Sequence, residues 1–442
     1  MEGSFLNFIR VKETREKIVT TLLLLLVYRL GFQIPIPGMN VAFLSESVGN
    51  QFFGMVSALT GSAIGQTSIF SLGIMPYISA SIIFSMLGKI SPAIEAIQKE
   101  GASGQKKINQ WTRLSVVPIA ILQGIFVYTG IFMQNPQMID PSMQGHSLAL
   151  GLTVILALLA GAMLVMWISE LITEHGVGNG ASLIIMGGII ATLPSAIMRI
   201  ADSQEFWQTI LSLIAVWVAT VFVVVYIHKG ERRIPIQYAR LTRGRRVYGG
   251  QRHYLPLKVN MAGVMPIIFA SVLFVVPGLV FEWFGWVTLR DMFQDQTHVL
   301  YVALYVSLVF AFCFFWNRLM FQPDEIANNL REHGAFIPGI RPGVKTAEYL
   351  SATLTRITLA GAAFLAIIAV FPAFVTPRSL PDQSMVYFLG GTSVLIVVGV
   401  ALELVDRLKA QAIMKGYKEE AGGDEAGGGP NWSRKSRRGQ AS

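Results

Sequence analysis

The chain has 442 residues, of which 53% are hydrophobic and only 14% are charged, and its formal net charge is +9. Its mean hydropathy of +0.54 excludes an ordinary soluble domain and indicates a membrane protein with several spans. The single cysteine, Cys313, excludes an intrachain disulfide, a thiolate metal site and a redox pair.

The first predicted element is the apolar run from Ile18 to Ile34. It is long enough to cross a bilayer with some adjustment, and no small-residue cleavage site follows it. We therefore predict a retained helix rather than a signal peptide. Arg29, near its outer end, fits an arginine that snorkels to the interface.

The second element is shorter and reads "GIMPYISASIIFSMLG", from Gly73 to Gly88. The stretch before it, Phe52 to Leu72, is uncharged, rich in small residues and too polar to cross lipid alone. We interpret the two as one broken helix. Because lipid cannot satisfy free backbone amides, Phe52 to Leu72 is expected to dip into the protein interior.

Further apolar runs of spanning length predict eight more helices, which brings the total to ten. They begin near Val116, Leu148, Ser182, Ile210, Met261, Leu300, Ile357 and Met385. The segments before the first span, after the second, sixth and eighth, and after the tenth hold 4, 5, 9, 5 and 8 lysine and arginine residues. The positive-inside rule makes these segments cytoplasmic, so both termini are predicted inside.

Ten spans divide into two halves of five, residues 18–200 and 201–406. The first half starts on the cytoplasmic side of the membrane and the second half starts on the outer side. Any repeat between the halves must be inverted, which places a functional path at their interface. A cytoplasmic segment, 1–17, precedes them, and a cytoplasmic tail, 407–442, follows and is predicted to be largely disordered after about position 419.

A basic loop follows the sixth predicted span, with nine lysines and arginines from Lys229 to Lys258. Its stretches "RRIPIQYA" and "RRVYGGQRHYLPLK" partly alternate around the turn-forming "TRG", which predicts a projecting β-hairpin. A second basic loop lies within residues 318–356. Such loops can simply set the topology of the chain, or they can also dock nucleic acid or an acidic protein. The nine basic residues exceed what orientation in the membrane needs, which favours docking. The candidate docking residues are Arg240, Arg243, Arg245, Arg246 and Arg341.

The predicted spans are almost free of ionisable residues, because the four carboxylates nearest to them fall at helix ends: Glu170, Glu282, Glu403 and Asp406. Ion-coupled transporters keep such groups inside the membrane. The sequence also lacks metalloprotease, nucleophile-elbow and nucleotide-binding motifs. We therefore predict no enzyme activity and no cofactor, and keep a secondary transporter with inverted repeats as the alternative to a passive channel. A poreless membrane scaffold is a third possibility.

Six long stretches carry a family resemblance: "SIFSLGIMPYISASII", "EGASGQKKINQWTR", "ITEHGVGNGASLII", "RRVYGGQRHYLPLKVNMAGVMPIIFAS", "AFIPGIRPGVKTAEYL" and "FLGGTSVLIVV". Together they closely resemble the SecY family, the central subunits of bacterial protein-conducting channels. The resemblance runs from about Ile9 to Asp406.

The resemblance implies an all-α membrane protein of ten helices in two inverted halves around an hourglass pore. By motif, the ring that pinches the pore matches Ile74, Ile78, Ile185, Ile268 and Ile396. A sixth ring position is Ala181, smaller than is common in relatives, which predicts a looser seal or one filled by a neighbour. Without the resemblance, each isoleucine is equally consistent with lipid contact or ordinary packing.

The resemblance also implies a plug at about residues 52–66 and a lateral gate through which apolar segments reach lipid. An ordinary re-entrant loop is the alternative to the plug. Ser79, Gln123 and Asn260 match the gate's polar cluster, although each can simply bond locally. We expect their mutual contacts to latch the closed gate weakly.

The implied activity is passive translocation of unfolded secretory proteins across the bacterial cytoplasmic membrane, with lateral release of hydrophobic segments. The implied partners are SecE and SecG, the motor ATPase SecA, the ribosome with its RNA, signal peptides, nascent chains and membrane lipid.

Overall fold

The computed structural model describes the residues that follow, and all structural statements refer to them: 12–40, 68–133, 139–143, 146–201, 206–238, 241–243, 246–248, 252–260, 263–271, Leu273, Phe281, Trp286, 292–293, 298–375 and 391–426. They are mainly helical. The helices are α1 (Lys12–Gly31), α2 (Met75–Ile90), α3 (Pro92–Lys99), α4 (Ala102–Val127), α5 (Ser147–His175), α6 (Gly180–Ala201), α7 (Phe206–His228), α8 (265–271), α9 (Val299–Met320), α10 (Pro323–Glu332), α11 (Val344–Val375) and α12 (Gly391–Ala426).

Proline marks the start of the two short helices that follow α2 and α9. Pro92 begins α3 after the extended residue Ser91, and Pro323 begins α10 after the extended residue Gln322. A proline in the first turn lacks an N–H that would be unpaired in any case, and it disfavours a helical conformation in the residue before it. The chain therefore turns at these points, and α3 lies at 96° to α2.

Four of the described helices or helical runs are long and apolar enough to cross a membrane, or five if the bent pair α2 and α3 counts as one span. The four are Ala102–Gly130, Ser147–His175, Val299–Glu332 and Val344–Phe371. Two shorter apolar stretches, Gly180–Ala191 and Ile214–His228, lie in α6 and α7. The count of ten predicted from sequence is not reached within the described residues.

The main core lies between the helices and is built from aliphatic and aromatic side chains of both halves of the chain. Helix α2 packs on α4, α4 on α5 and α5 on α6, while α6 and α7 both contact α12 and α9 contacts α11. A second, smaller apolar cluster joins α5 to the chain after α1, through Ile36, Leu72, Phe132 and Leu158.

A small antiparallel sheet follows α7. Its strands are β1 (Glu231–Tyr238), β2 (Leu241–Arg243), β3 (Arg246–Tyr248), β4 (Arg252–Lys258) and β5 (Ala335–Phe336). The order of the three-stranded part is β4-β1-β5, and β2 pairs with β3 in a separate ladder. The register runs from Glu231 opposite Lys258 to Gln237 opposite Arg252.

The alternation of β1 explains how the sheet is held to the helices. Ile234 and Leu257 are buried and pack with Phe321, Leu350 and Leu354 at the ends of α9 and α11. The basic residues Arg232 and Arg233 lie on exposed positions of β1. One face of the sheet thus covers the helix ends, as the period-two pattern requires.

Three helix boundaries differ clearly from those predicted, and the first is the start of α4, at Ala102 rather than near Val116. Helix α11 begins at Val344 rather than near Ile357, because its first turns carry charged and hydroxyl side chains that a hydropathy pattern does not mark. Helix α12 continues to Ala426, so residues 420–426 are helical where disorder is predicted. Residues 420–426 read EAGGDEA and include Gly422 and Gly423, which are poor helix formers, so helix propensity does not explain the extension. The predicted plug, 52–66, lies outside the described residues.

Candidate pore and gate site

The five isoleucines singled out from the sequence lie in the same buried cluster. Ile74 caps the start of α2, and Ile78 lies four residues further on the same helix face. Ile185 lies on α6, Ile268 on α8 and Ile396 on α12. Their exposed fractions are 1%, 7%, 1%, 4% and 1% respectively, so they face the interior and not lipid. Ala181 is partly buried and packs against the same cluster.

Two glycines allow the close approach of the elements that carry these residues. Gly73 has φ of +53°, a conformation that favours glycine, and turns the chain into α2. At Gly399 on α12, an added Cβ would lie 2.3 Å from the Cγ1 atom of Val264, just before α8. The glycine at position 399 therefore leaves room for the Val264 side chain against α12.

The five isoleucine side chains consist of aliphatic carbon and carry no polar atoms. Aliphatic side chains offer water and ions no hydrogen bonds, and a narrow aliphatic constriction resists wetting. They also hold no fixed polar partners, so displacing them breaks no hydrogen bond of their own.

The segment that leads into α2 is tightly held. Ile69 donates a backbone hydrogen bond of 3.0 Å to the carbonyl of Ile34, and the Ser71 hydroxyl donates one of 2.6 Å to the carbonyl of Ser68. Helix α5 approaches it so closely that a Cβ at Gly161 would lie 1.9 Å from the carbonyl oxygen of Ile69. Residues 68–74 are thus fixed against α5.

The three predicted gate residues make no hydrogen bond with one another. Ser79 on α2 and Gln123 on α4 are half-buried, on two helices that pack together, and Asn260 is buried just before α8. The Asn260 side-chain amide donates to the carbonyl of Gly263 at 2.9 Å. The Gln123 Oε1 atom is buried, and no described residue donates a hydrogen bond to it.

The structure adds polar contacts between helices that sequence analysis missed. The Ser271 and Tyr305 hydroxyls are 3.1 Å apart and join α8 to α9. The Asn317 amide donates to the Thr358 hydroxyl and joins α9 to α11. Each pair is separated by more than 30 residues in sequence, and no spacing rule links such positions.

The basic candidates are described only in part. Arg341 is exposed, and the backbones of Arg243 and Arg246 form a pair in the ladder of β2 and β3. Arg240 and Arg245 lie outside the described residues. At the base of the sheet, Lys258 on β4 lies 3.6 Å from the Asp406 carboxylate on α12.

A further pair of charges lies on α3. The Glu95 carboxylate hydrogen-bonds the Lys99 ammonium at 3.0 Å, and this bond, with the charge of Glu95, raises the pKa of Lys99. Both side chains are exposed, so the pair adds little to stability.

Comparison with known proteins places the chain in a family. The SecY family profile matches residues 68–405. The protein translocase subunit SecY of Escherichia coli K12 is 40% identical over 423 residues, which cover 92% of this chain and 93% of that protein. The chain belongs to the SecY family.

Other SecY proteins are similar over nearly their whole length. The protein translocase subunit SecY of Streptomyces galbus is 40% identical over 441 residues, covering 95% of this chain and 99% of that protein.

Solved structures share the fold of this SecY-family chain. A protein-conducting channel covers 90% of the chain with a TM-score of 0.63 and 17% identity, and the chain covers 93% of it. Sec61 in the canine ribosome–channel complex has the same coverage, a TM-score of 0.60 and 16% identity.

Proposed function

We propose that this SecY-family chain is the channel subunit of a protein translocase in the bacterial cytoplasmic membrane. It passes unfolded polypeptides through its centre and releases apolar segments sideways into lipid. The observation that carries the proposal is that the five isoleucines, which come from four helices in both halves of the chain, belong to one buried apolar cluster: Ile74, Ile78, Ile185, Ile268 and Ile396.

In this proposal the five isoleucines are the constriction of the pore. They seal the resting channel because they exclude water, and they yield to a chain of any sequence because they have no polar contacts to lose. Residues 52–66 act as a plug beside them. The full protein has ten spanning helices in two inverted halves, with both termini in the cytoplasm, as the distribution of lysine and arginine predicts.

The lateral gate lies beside α2 and α4 on one side and α8 and α9 on the other. Ser79, Gln123 and Asn260 line it. Contacts between polar groups of membrane helices contribute only about 0.6 to 2 kcal/mol each, so one apolar signal segment entering lipid can part the helices.

The energy for movement comes from partners, since the sequence carries no nucleotide-binding motif. The basic loops 229–260 and 318–356 dock the motor ATPase SecA or the ribosome, through Arg240, Arg243, Arg245, Arg246 and Arg341. SecE and SecG are the expected small membrane subunits. The pairing of β1 with β5 supports a shared docking surface, because it joins the two loops in one sheet.

A photo-crosslinking experiment tests the channel directly. A photoreactive amino acid replaces Ile78 or Ile268 in the complete complex, and a secretory precursor is stalled during translocation. We expect both positions to crosslink the precursor, whereas the same amino acid at Leu22, which is 61% exposed on α1, should crosslink lipid or partner subunits instead. A stalled precursor that crosslinks at neither isoleucine would contradict a central pore.

A further inference from the structure

A groove of about 850 Å³ opens between the end of α9, the start of α10 and the first turns of α11. Buried residues form its floor, among them Asn317, Phe321 and Thr358. Its rim is exposed and carries three charged side chains: Arg318, Asp324 and Glu348. The volume falls within the range of sites that bind small molecules.

The groove lies where the helices change from apolar to polar. Helix α11 has 32 residues and is therefore about 48 Å long, whereas the hydrocarbon core of a bilayer is about 30 Å thick. Its charged residues, Lys345, Glu348 and Arg356, all precede the uncharged stretch 357–375. The groove is lined by residues 314–324 and 344–358, so it lies at the level of the lipid headgroups.

The charges on the rim have both signs. Glu348 accepts a hydrogen bond of 2.8 Å from Lys345, which partly neutralises it. Within the described part of the chain, neither Arg318 nor Asp324 forms an ion pair. An anionic headgroup would meet the Asp324 and Glu348 carboxylates, and a cation alone would meet Arg318. A zwitterionic headgroup complements both.

The polar groups of the floor and of the rim differ in whether a ligand in the groove can reach them. The Asn317 amide nitrogen donates to the Thr358 hydroxyl, which in turn donates to the carbonyl of Leu354 at 2.7 Å. The Asn317 Oδ1 atom has no hydrogen-bond partner among the described residues, and it is closed off from the groove, since the residue is only 4% exposed. The acceptors that a ligand can reach are the exposed carboxylates of Asp324 and Glu348 on the rim, so the groove favours a ligand that brings N–H donors. An ammonium group has three such donors, and a quaternary choline has none.

We propose that this groove is a binding site for a phospholipid with a primary-amine headgroup, such as phosphatidylethanolamine. Its phosphate contacts Arg318, its ammonium donates to the Asp324 and Glu348 carboxylates, and its upper acyl chains cover Phe314, Phe315 and Phe321. The site goes beyond the proposed channel function, since none of the five isoleucines lines the groove.

Native mass spectrometry of the purified complete complex tests the site. The protein is delipidated mildly and titrated with phosphatidylethanolamine, its N,N-dimethyl derivative and phosphatidylcholine, all with the same acyl chains. We expect affinity to fall in that order, about tenfold from the first to the last, as for the loss of one charge-assisted hydrogen bond. Phosphatidylglycerol should bind more weakly than phosphatidylethanolamine. Equal binding of the ethanolamine and choline lipids would overturn the proposal, and so would tighter binding of phosphatidylglycerol.

Matched variants locate the site. Arg318→Gln and Asp324→Asn should each weaken phosphatidylethanolamine binding about tenfold. Arg356→Gln and Glu332→Gln remove the same charges from exposed positions that do not line the groove, and should leave binding unchanged. Thermal unfolding of each variant checks that the fold is intact. Unchanged binding in folded Arg318→Gln would place the lipid elsewhere.

Free glycerophosphoethanolamine is used as a competitor of the bound lipid in the last part of the experiment. It carries the same headgroup without acyl chains and should compete only at concentrations far above those of the lipid. Competition at equal concentration would show a site for a soluble amine phosphate and would overturn the assignment to lipid.

Discussion

Asn260 donates its side-chain hydrogen bond to the carbonyl oxygen of Gly263, at 2.9 Å, and not to Ser79 or Gln123. The bond is local, within the turn that leads into α8, where Gly263 has φ of +64°. Asn260 therefore shapes the start of its own helix in this form of the protein. The mutual latch predicted from sequence has no hydrogen bond among these three residues.

Replacing Gln123 with Leu should stabilise the form described here. Its Oε1 atom is buried without a partner, which costs about 1–3 kcal/mol, and an open, hydrated gate would solvate it. We expect Gln123→Leu to raise the signal hydrophobicity that export requires, the opposite of what a latch would give. Export of precursors whose signal sequences have graded leucine content measures this, with the half-buried Gln98→Leu on α3 as control. If Gln123→Leu instead lowers the signal hydrophobicity that export requires, Gln123 stabilises the closed gate, as the latch hypothesis states.

Replacing Ile78, Ile185 and Ile268 together with Ser should make the resting channel leak. Hydroxyl groups at the constriction favour wetting, and we expect ion conductance of proteoliposomes to rise about tenfold, equivalent to a barrier lower by about 1.4 kcal/mol. Ile184→Ser is the control, because Ile184 is buried in the same cluster but is not one of the five isoleucines. If the triple variant is as tight as wild type, the barrier lies elsewhere, most simply in residues 52–66.

Reversing the charge of Arg245, Arg246 and Arg341 to Glu should weaken docking of SecA or the ribosome. Exposed ion pairs contribute up to about 1 kcal/mol each, so the combined loss is about 1–3 kcal/mol, or roughly 5- to 150-fold in affinity. The loss should shrink at high salt because surface charges are screened. Binding assays at two salt concentrations measure it, with Lys99→Glu on the exposed α3 as control. Wild-type affinity of the triple variant at physiological salt would remove these residues from the docking surface.

Gly161→Ala should destabilise the protein by about 1–3 kcal/mol or more, because the new methyl group would overlap the carbonyl of Ile69 and push α5 from residues 68–74. Gly130→Ala meets nothing within 4 Å and should be neutral or slightly stabilising. Thermal unfolding in detergent compares the two. Equal midpoints would mean that residues 68–74 yield freely, and that their contact with α5 does not hold α2 in position.

The sequence predicts best where hydropathy alone decides the structure. Leu148 and Leu300 were placed at helix starts and lie one residue after the observed starts of α5 and α9. The polar beginning of α11 and the amphipathic helices α3 and α10 were missed, because their stability comes from packing and proline placement and not from an apolar run.

The same distinction holds for the candidate site. Motif resemblance selected five isoleucines, and the structure brings all of them into one cluster. The hydrogen bonds of Asn260, Ser271 and Asn317 could not be predicted, since polar groups in a membrane helix have several partners within reach and the choice depends on side-chain geometry.

The short strand β5 has a mechanical consequence. It pairs Phe336 with Gln237 and Ala335 with Tyr238, so the chain before α11 and the chain after α7 share one ladder. A partner that pulls on either loop applies force to both, and the buried contacts of Ile234 and Leu257 transmit that force to the ends of α9 and α11. A force applied at one loop is therefore shared by both loops and reaches the ends of α9 and α11 together.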